Sequence, residues 1–189
     1  MFEAGARLKA EHGAENVFDF SLGNPILEPP QQVREQLRLL LENPEPGMHR
    51  YMPNAGFEET REFIAGVMRD ETGHPFGCED VMMCVGAGGG LNVVFKALLE
   101  AGDEVLALTP CFVEYGAYVQ NHGGRLTLAE TTAEFQPDLD SIEASLSEQT
   151  KILIINSPNN PTGAVYSQQT LDELALLLLR KEKEYGHPI

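Results

Sequence analysis

Lys151-Ile152-Leu153-Ile154-Ile155-Asn156-Ser157-Pro158-Asn159-Asn160-Pro161-Thr162-Gly163 is the stretch whose reading decides the fold. An apolar run of strand length, residues 151–156, breaks directly into a stiff polar turn of proline, asparagine and glycine. Working back from it, the sequence offers three more runs of the same kind at 81–85, 104–108 and 125–129. Between these runs lie helix-length segments at 90–100, 113–122 and 138–146. Gly102 and the pair Gly123-Gly124 punctuate the joins.

Forward of the turn, residues 168–185 predict a helix, with Ser167 as N-cap and Gly186 as C-cap. Arg180, Lys181 and Lys183 fall at its end, where the helix dipole favours positive charge. Two helices are predicted further upstream. Residues 31–41 follow Pro29-Pro30 and carry Val33, Leu37 and Leu40 on one face. Residues 56–72 carry Phe57, Thr60, Ile64, Val67 and Met68 along a stripe, closed by Gly73. Strands spaced by helices imply βαβ units, hence an α/β fold of three αβα layers around a mostly parallel sheet. Ligands in such sheets bind at the carboxyl ends of the strands, so the loops that follow strands are where chemistry is sought.

Charge and composition narrow the partners. The 189 residues hold 29 acidic against 13 basic side chains, a formal net charge of −16, which opposes contact with nucleic acid or anionic membrane. No apolar run reaches the roughly 20 residues that span a bilayer, and the first nine residues lack a signal-peptide core. Cys78, Cys84 and Cys111 form no paired metal-ligand spacing, and the five histidines are scattered, so no metal site is expected. A reducing, cytoplasmic setting is the expectation.

Three loops follow strand ends. Gly86-Ala87-Gly88-Gly89-Gly90 precedes a helix, and its glycines allow backbone N–H groups to approach an anion closely. The same residues serve equally as a tight turn that packs helix on strand. Neither the P-loop ending nor the full dinucleotide pattern is present. Thr109-Pro110-Cys111-Phe112 brings a flat side chain to a strand end, where it either stacks on a planar ligand or fills the core. In the 157–163 turn, an asparagine amide could bond a ligand oxygen, or the asparagines could serve the turn itself.

Taken in order, these segments resemble the class I and II aminotransferases, fold-type-I enzymes that use pyridoxal 5′-phosphate. Asn160-Pro161-Thr162-Gly163 is similar to the family's asparagine motif, and 86–91 to its phosphate loop. Arg50-Tyr51-Met52-Pro53-Asn54-Ala55-Gly56, before a helix carrying Arg61, resembles the Tyr-x-Pro-x-x-Gly segment. Ala101-Gly102-Asp103-Glu104-Val105 leads, as in the family, to Thr109-Pro110 and an aromatic residue. Ser21-Leu22-Gly23-Asn24-Pro25 matches the early glycine stretch.

The resemblance implies roles. Asn160 would donate its amide to the 3′-oxygen of the cofactor ring, and Phe112 would stack on the ring face. Gly86, Ala87 and Gly88 would hold the phosphate, the last two through backbone N–H groups. Tyr51 would reach the phosphate of the neighbouring subunit's cofactor, making the site the property of a homodimer. Gly23 would line the substrate carboxylate. The substrates implied are an amino acid and a 2-oxo acid. Residues 1–45 would form an N-terminal arm and first helix, and 46–189 the N-terminal part of the cofactor-binding large domain, incomplete in this chain. Within the same fold, carbon–sulfur lyases, decarboxylases, synthases and aminotransferase-like modules of regulators share such motifs. Ala87 and Gly88 depart from the serine, threonine or lysine often found in the phosphate loop, and Phe112 from tryptophan or tyrosine.

The family's reaction needs a lysine that forms a Schiff base with the cofactor. Lys9, Lys96, Lys151, Lys181 and Lys183 do not follow a serine-rich strand end, and Lys181 and Lys183 are expected in a solvated helix end. The resemblance therefore implies that the lysine, with its partner aspartate and the substrate arginine, lies beyond residue 189. The chain is expected to be inactive alone. A sheet divided there is expected to leave an unpaired edge and uncovered apolar faces. The resemblance further implies cis peptide bonds at Thr109-Pro110 and Asn160-Pro161.

Overall fold

The computed structural model describes residues 2–18, 23 and 27–189. Ser21, Leu22, Asn24 and Pro25 of the early glycine stretch lie outside them. The chain divides into two compact units, Met1–Pro53 and Asn54–Ile189. In the first, α1 (Phe2–His12) leads into a 3-10 turn, and α2 (Gln31–Glu42) follows. The sequence reading did not anticipate α1. In α2 the expected stripe of Val33, Leu37 and Leu40 is present but exposed, and an Arg38–Glu42 ion pair at 2.7 Å runs along its surface.

The second unit begins with α3 (Glu58–Thr72), ended by Gly73 in the left-handed conformation at φ 74°. Then come α4 (Gly86–Leu98), β1 (Glu104–Thr109), α5 (Tyr115–Asn121) and β2 (Arg125–Glu130). The unit closes with α6 (Leu139–Ser145), β3 (Thr150–Ile154) and α7 (Gln168–Tyr185). The two ends of α7 match the sequence reading. Ser167 accepts from the Thr170 N–H as N-cap, and Gly186 takes the left-handed conformation as C-cap.

All described strands are parallel, in the order β2-β1-β3. Side-chain alternation along β1 sorts its residues between two cores. Leu106 and Leu108 face Ile142 and Leu146 at α6 and Leu174 and Leu177 of α7. Val105 faces Phe95 of α4 and Val119 of α5. Helices thus cover both faces of the sheet, which is the three-layer αβα arrangement expected. The chain runs from β1 to β2 on one side, then crosses back to place β3 on the other side of β1. Successive connections consequently leave opposite faces, α5 on one and α6 on the other. The carboxyl ends of β1 and β3 therefore flank a topological switch point, where loops diverge and leave a crevice.

At the opposite end of β1, the Glu104 carboxylate is buried but fully partnered. Arg125 donates to one oxygen, and the Ser147 hydroxyl donates to the other at 2.7 Å. A buried carboxylate is tolerated only with such partners.

Three expectations need correction. Residues 81–85 form no strand; their one backbone bond to a segment distant in sequence, among the described residues, is from the Met83 N–H to the Ala55 carbonyl at 2.9 Å. The glycine stretch is not a loop before a helix but the first turn of α4 itself. Lys181 is not solvated: its side chain is 12 % exposed, because it lies between Glu143 at 3.3 Å and Glu184 at 2.9 Å.

Candidate cofactor site

The crevice at the switch point is a cavity of about 440 Å³ lined by residues from three places in the chain. Ala87, Gly88 and Leu91 come from the first turns of α4. Phe112, Tyr115 and Tyr118 come from the loop after β1 and from α5. Asn156, Pro158 and Asn160 come from the turn after β3. Of the residues singled out from the sequence, Ala87, Gly88, Phe112 and Asn160 meet here.

The α4 end is built to present N–H groups. Its N-cap, Val85, has no side-chain acceptor to cap the helix. Gly86, at φ +66°, spends its own N–H on the Cys84 carbonyl at 3.1 Å and is not among the lining residues. The next N–H groups, of Ala87 and Gly88, have no helical carbonyl one turn earlier to bond, and the helix dipole adds positive potential. Gly88 also lets the Tyr118 side chain come close. A Cβ there would sit 2.9 Å from the Tyr118 hydroxyl oxygen.

The turn after β3 separates its two asparagines by task. Asn159 is buried, and its amide donates to the Pro110 carbonyl at 3.1 Å and the Thr162 hydroxyl at 2.9 Å. Its backbone closes the turn with Ala164 and Gly163. Asn159 thereby ties the β3 loop to the β1 loop. Asn160 gives its backbone N–H to Asn156 Oδ1 at 2.8 Å, and its exposed side chain, which lines the cavity, has no hydrogen-bond partner among the described residues. The peptide bonds Thr109-Pro110 and Asn160-Pro161 are both cis, as is Ser157-Pro158.

Phe112 packs edge-on against Tyr115, centroids 5.7 Å apart and planes at 78°. Burial pushes the hydroxyl pKa of Tyr115 and the thiol pKa of Cys111 up, so both stay protonated at neutral pH. Tyr118 is raised by its hydrogen bond to Glu114 first and by burial second. Tyr115, Tyr118 and Asn156 escaped the sequence reading, while Leu91 and Pro158 lay in its motifs without a role of their own. The spacing of Tyr115 and Tyr118 on one helix face, just after Phe112, was the available signal for two of them.

No lysine lines the cavity. Tyr51 and Gly23 belong to the first unit, where Tyr51 is wholly exposed and a Cβ on Gly23 would meet no atom within 4 Å. Among the described residues, no group of three or more His, Cys, Asp or Glu side chains could hold a metal, and no helix is long and apolar enough to cross a membrane.

A parallel sheet between two helical layers, with a helix N-terminus, an aromatic face and an asparagine amide at its switch point, has the chemistry to suit a flat, anionic ligand. Comparison with known proteins narrows the class. The family model for aminotransferase class I and II matches residues 15–183, and the chain belongs to that family. It is 38 % identical over 162 residues to the aspartate/prephenate aminotransferase of Thermus thermophilus, covering 85 % of this chain and 41 % of that protein. An amino transferase structure from Eubacterium rectale superposes with a TM-score of 0.93 at 39 % identity, over all of this chain and 48 % of that one. A mutant Thermus thermophilus aspartate aminotransferase superposes with a TM-score of 0.83 at 33 % identity, over 96 % of this chain and 47 % of that one. The chain thus spans less than half the length of these relatives.

Proposed function

We propose that this chain supplies the phosphate-holding and ring-holding wall of a pyridoxal 5′-phosphate site, in an aminotransferase that moves an amino group between an amino acid and a 2-oxo acid. The observation that carries this reading is the single cavity in which Ala87, Gly88, Phe112 and Asn160 meet. Their chemistry fits each part of the cofactor. The N–H groups of Ala87 and Gly88 suit its phosphate, with Gly86 setting the turn; Phe112 offers a flat apolar face; the Asn160 amide is a donor for the ring oxygen. When bound, the cofactor supplies the electron sink for amino-acid chemistry. This chain's residues bind and orient it.

Proton transfer falls to a lysine. We assign it, with the aspartate that faces the ring nitrogen and the arginine that binds substrate, to the part of the relatives' length that these residues do not span. The 189 residues alone are then a cofactor wall without turnover. In the assembled enzyme, a cytoplasmic homodimer, the exposed Tyr51 reaches the partner's cofactor phosphate and Gly23 lies beside the substrate carboxylate. The aspartate and aspartate/prephenate aminotransferases among the relatives support an amino donor of the aspartate type.

Titration with pyridoxal 5′-phosphate, followed by absorbance, tests the reading. Phe112→Ala and Asn160→Ala are each expected to weaken binding about tenfold. Borohydride added to the complex is expected to label no lysine stoichiometrically. Binding that ignores both substitutions would remove the cofactor assignment. Stoichiometric labelling of one lysine would show that the reacting amine is already in this chain.

A further inference from the structure

The anion-binding end of α4 is made of the residue type least suited to hold a helical turn. Four of its first five residues are glycine, which gives up the most backbone freedom and has no Cβ to restrict rotation. Left to itself such a turn frays, and N–H groups that fray do not converge on a ligand.

Across the interface between α4 and α5, polar side chains meet in matching steps of one turn. Asn92 Nδ2 donates to the Gly88 carbonyl at 2.8 Å. His122 Nε2 lies 3.0 Å from Asn92 Oδ1. One turn earlier on each helix, the Tyr118 hydroxyl sits over Gly88 and donates to Glu114. The chemistry fixes the direction of the chain of bonds. A carbonyl only accepts, so the Asn92 amide must turn Nδ2 to Gly88; Oδ1 then faces His122, whose Nε2 must carry the hydrogen. Neither Asn92 nor His122 lines the cavity.

We infer that Asn92, oriented by His122, is a positioning residue that holds the first turn of α4 in the shape its anion-binding N–H groups require. Its side-chain bond adds a second donor to a carbonyl that the helix already uses. That bond fixes the plane of the Gly88–Gly89 peptide, where glycine imposes no limit of its own. The brace also holds a turn whose Gly88 leaves room for the close Tyr118 hydroxyl. The inference rests on the phosphate reading of this turn given above.

The test uses the full chain labelled with ¹⁵N, amide hydrogen exchange at residues 89–91, the first whose N–H groups bond inside the helix, and titration with inorganic phosphate followed at the Ala87 and Gly88 amides. Asn92→Leu keeps a helix-forming side chain of similar size but removes both bonds. It is expected to speed exchange at 89–91 and to weaken phosphate binding, each by about five- to tenfold. Amides of Leu174 and Leu177, in the other core, should keep their protection. His122→Leu should act in the same direction but less, and His122→Gln, which still offers an N–H, should restore wild-type behaviour. Unchanged exchange and affinity in Asn92→Leu would overturn the inference. If that variant loses protection at Leu174 and Leu177 as well, the His122 pair decides, and equal behaviour of its Leu and Gln forms overturns it. If phosphate shifts neither amide in the wild-type chain, the cofactor reading fails; the exchange result still decides whether Asn92 braces the turn.

Discussion

β1 and residues 81–85 are two apolar runs of strand length, yet only one became a strand. β1 lies between β2 and β3, its backbone hydrogen-bonded on both sides and its Val105, Leu106 and Ala107 fully buried. The 81–85 segment, Val-Met-Met-Cys-Val, has no strand beside it among the described residues, and its Val85 is 94 % exposed. Apolar composition makes both runs candidates, but a strand exists only through the hydrogen bonds of a neighbour. The 81–85 segment shows what β1 would be without β2 and β3.

Paired substitutions give the largest test of that contrast. Leu106→Ala opens a cavity in the core that α6 and α7 cover and is expected to cost about 3 kcal/mol in urea unfolding. Val85→Ala, at an exposed position, is expected to change stability by no more than about 0.5 kcal/mol. A comparable loss for both would mean that 81–85 is packed after all.

The tether of that segment comes next. Gly56 has φ +98°, and a Cβ there would lie 2.4 Å from Met83 Cγ, so Gly56→Ala is strained twice over. Thermal melts should register a loss of about 2 kcal/mol, with faster amide exchange at Met83. An unaltered Met83 amide would show that the tether to Ala55 is not what holds the segment.

Smaller effects belong to the helices that bury β1. Ser167→Ala removes the N-cap of α7 and is expected to cost about 1 kcal/mol by the same measurement. The ion pairs between α6 and α7 contribute least, since Glu143 and Arg180 stay partly in solvent although Lys181 is largely covered. The hydrogen bond from Lys181, then that from Arg180, hold the Glu143 carboxyl below the usual carboxylate range, against the opposing effect of burial. A carboxylate depressed in the folded state stabilises above its unfolded value near 4.5, and that contribution is lost as pH falls through the lower folded value. The urea midpoints of wild type and Glu143→Gln should therefore differ by a constant amount at neutral pH and converge in acid. A gap that widens in acid would contradict the assigned sign.

Most of the fold was legible because it rests on local signals. Ser167, Gly186 and Gly73 marked helix ends through backbone chemistry that acts within one turn. The apolar runs that became β1, β2 and β3 were correctly located, and their parallel arrangement followed from the helices between them. The reading failed where the outcome depended on something distant. Lys181 looked like a solvated helix end because Glu143 lies 38 positions away in sequence, on another helix. Tyr115 and Tyr118 entered the cavity because α5 packs beside α4, a matter of tertiary contact rather than spacing.

The sequence by itself determined the strand-and-helix order, the caps, and the family to which the chain belongs, because each depends on short-range patterns or on motifs in sequence order. The family resemblance singled out Asn160, but only the tertiary structure shows why its neighbour is not the free one. Asn159 and Asn160 are adjacent and chemically identical, but the first is spent on the Pro110 carbonyl 49 positions away, leaving the second to face the cavity. Tertiary structure also made a glycine run into a braced helical turn and left 81–85 without a partner. The physical reason is the same in each case. A hydrogen bond has two ends, and the sequence near one end does not say where the other will be.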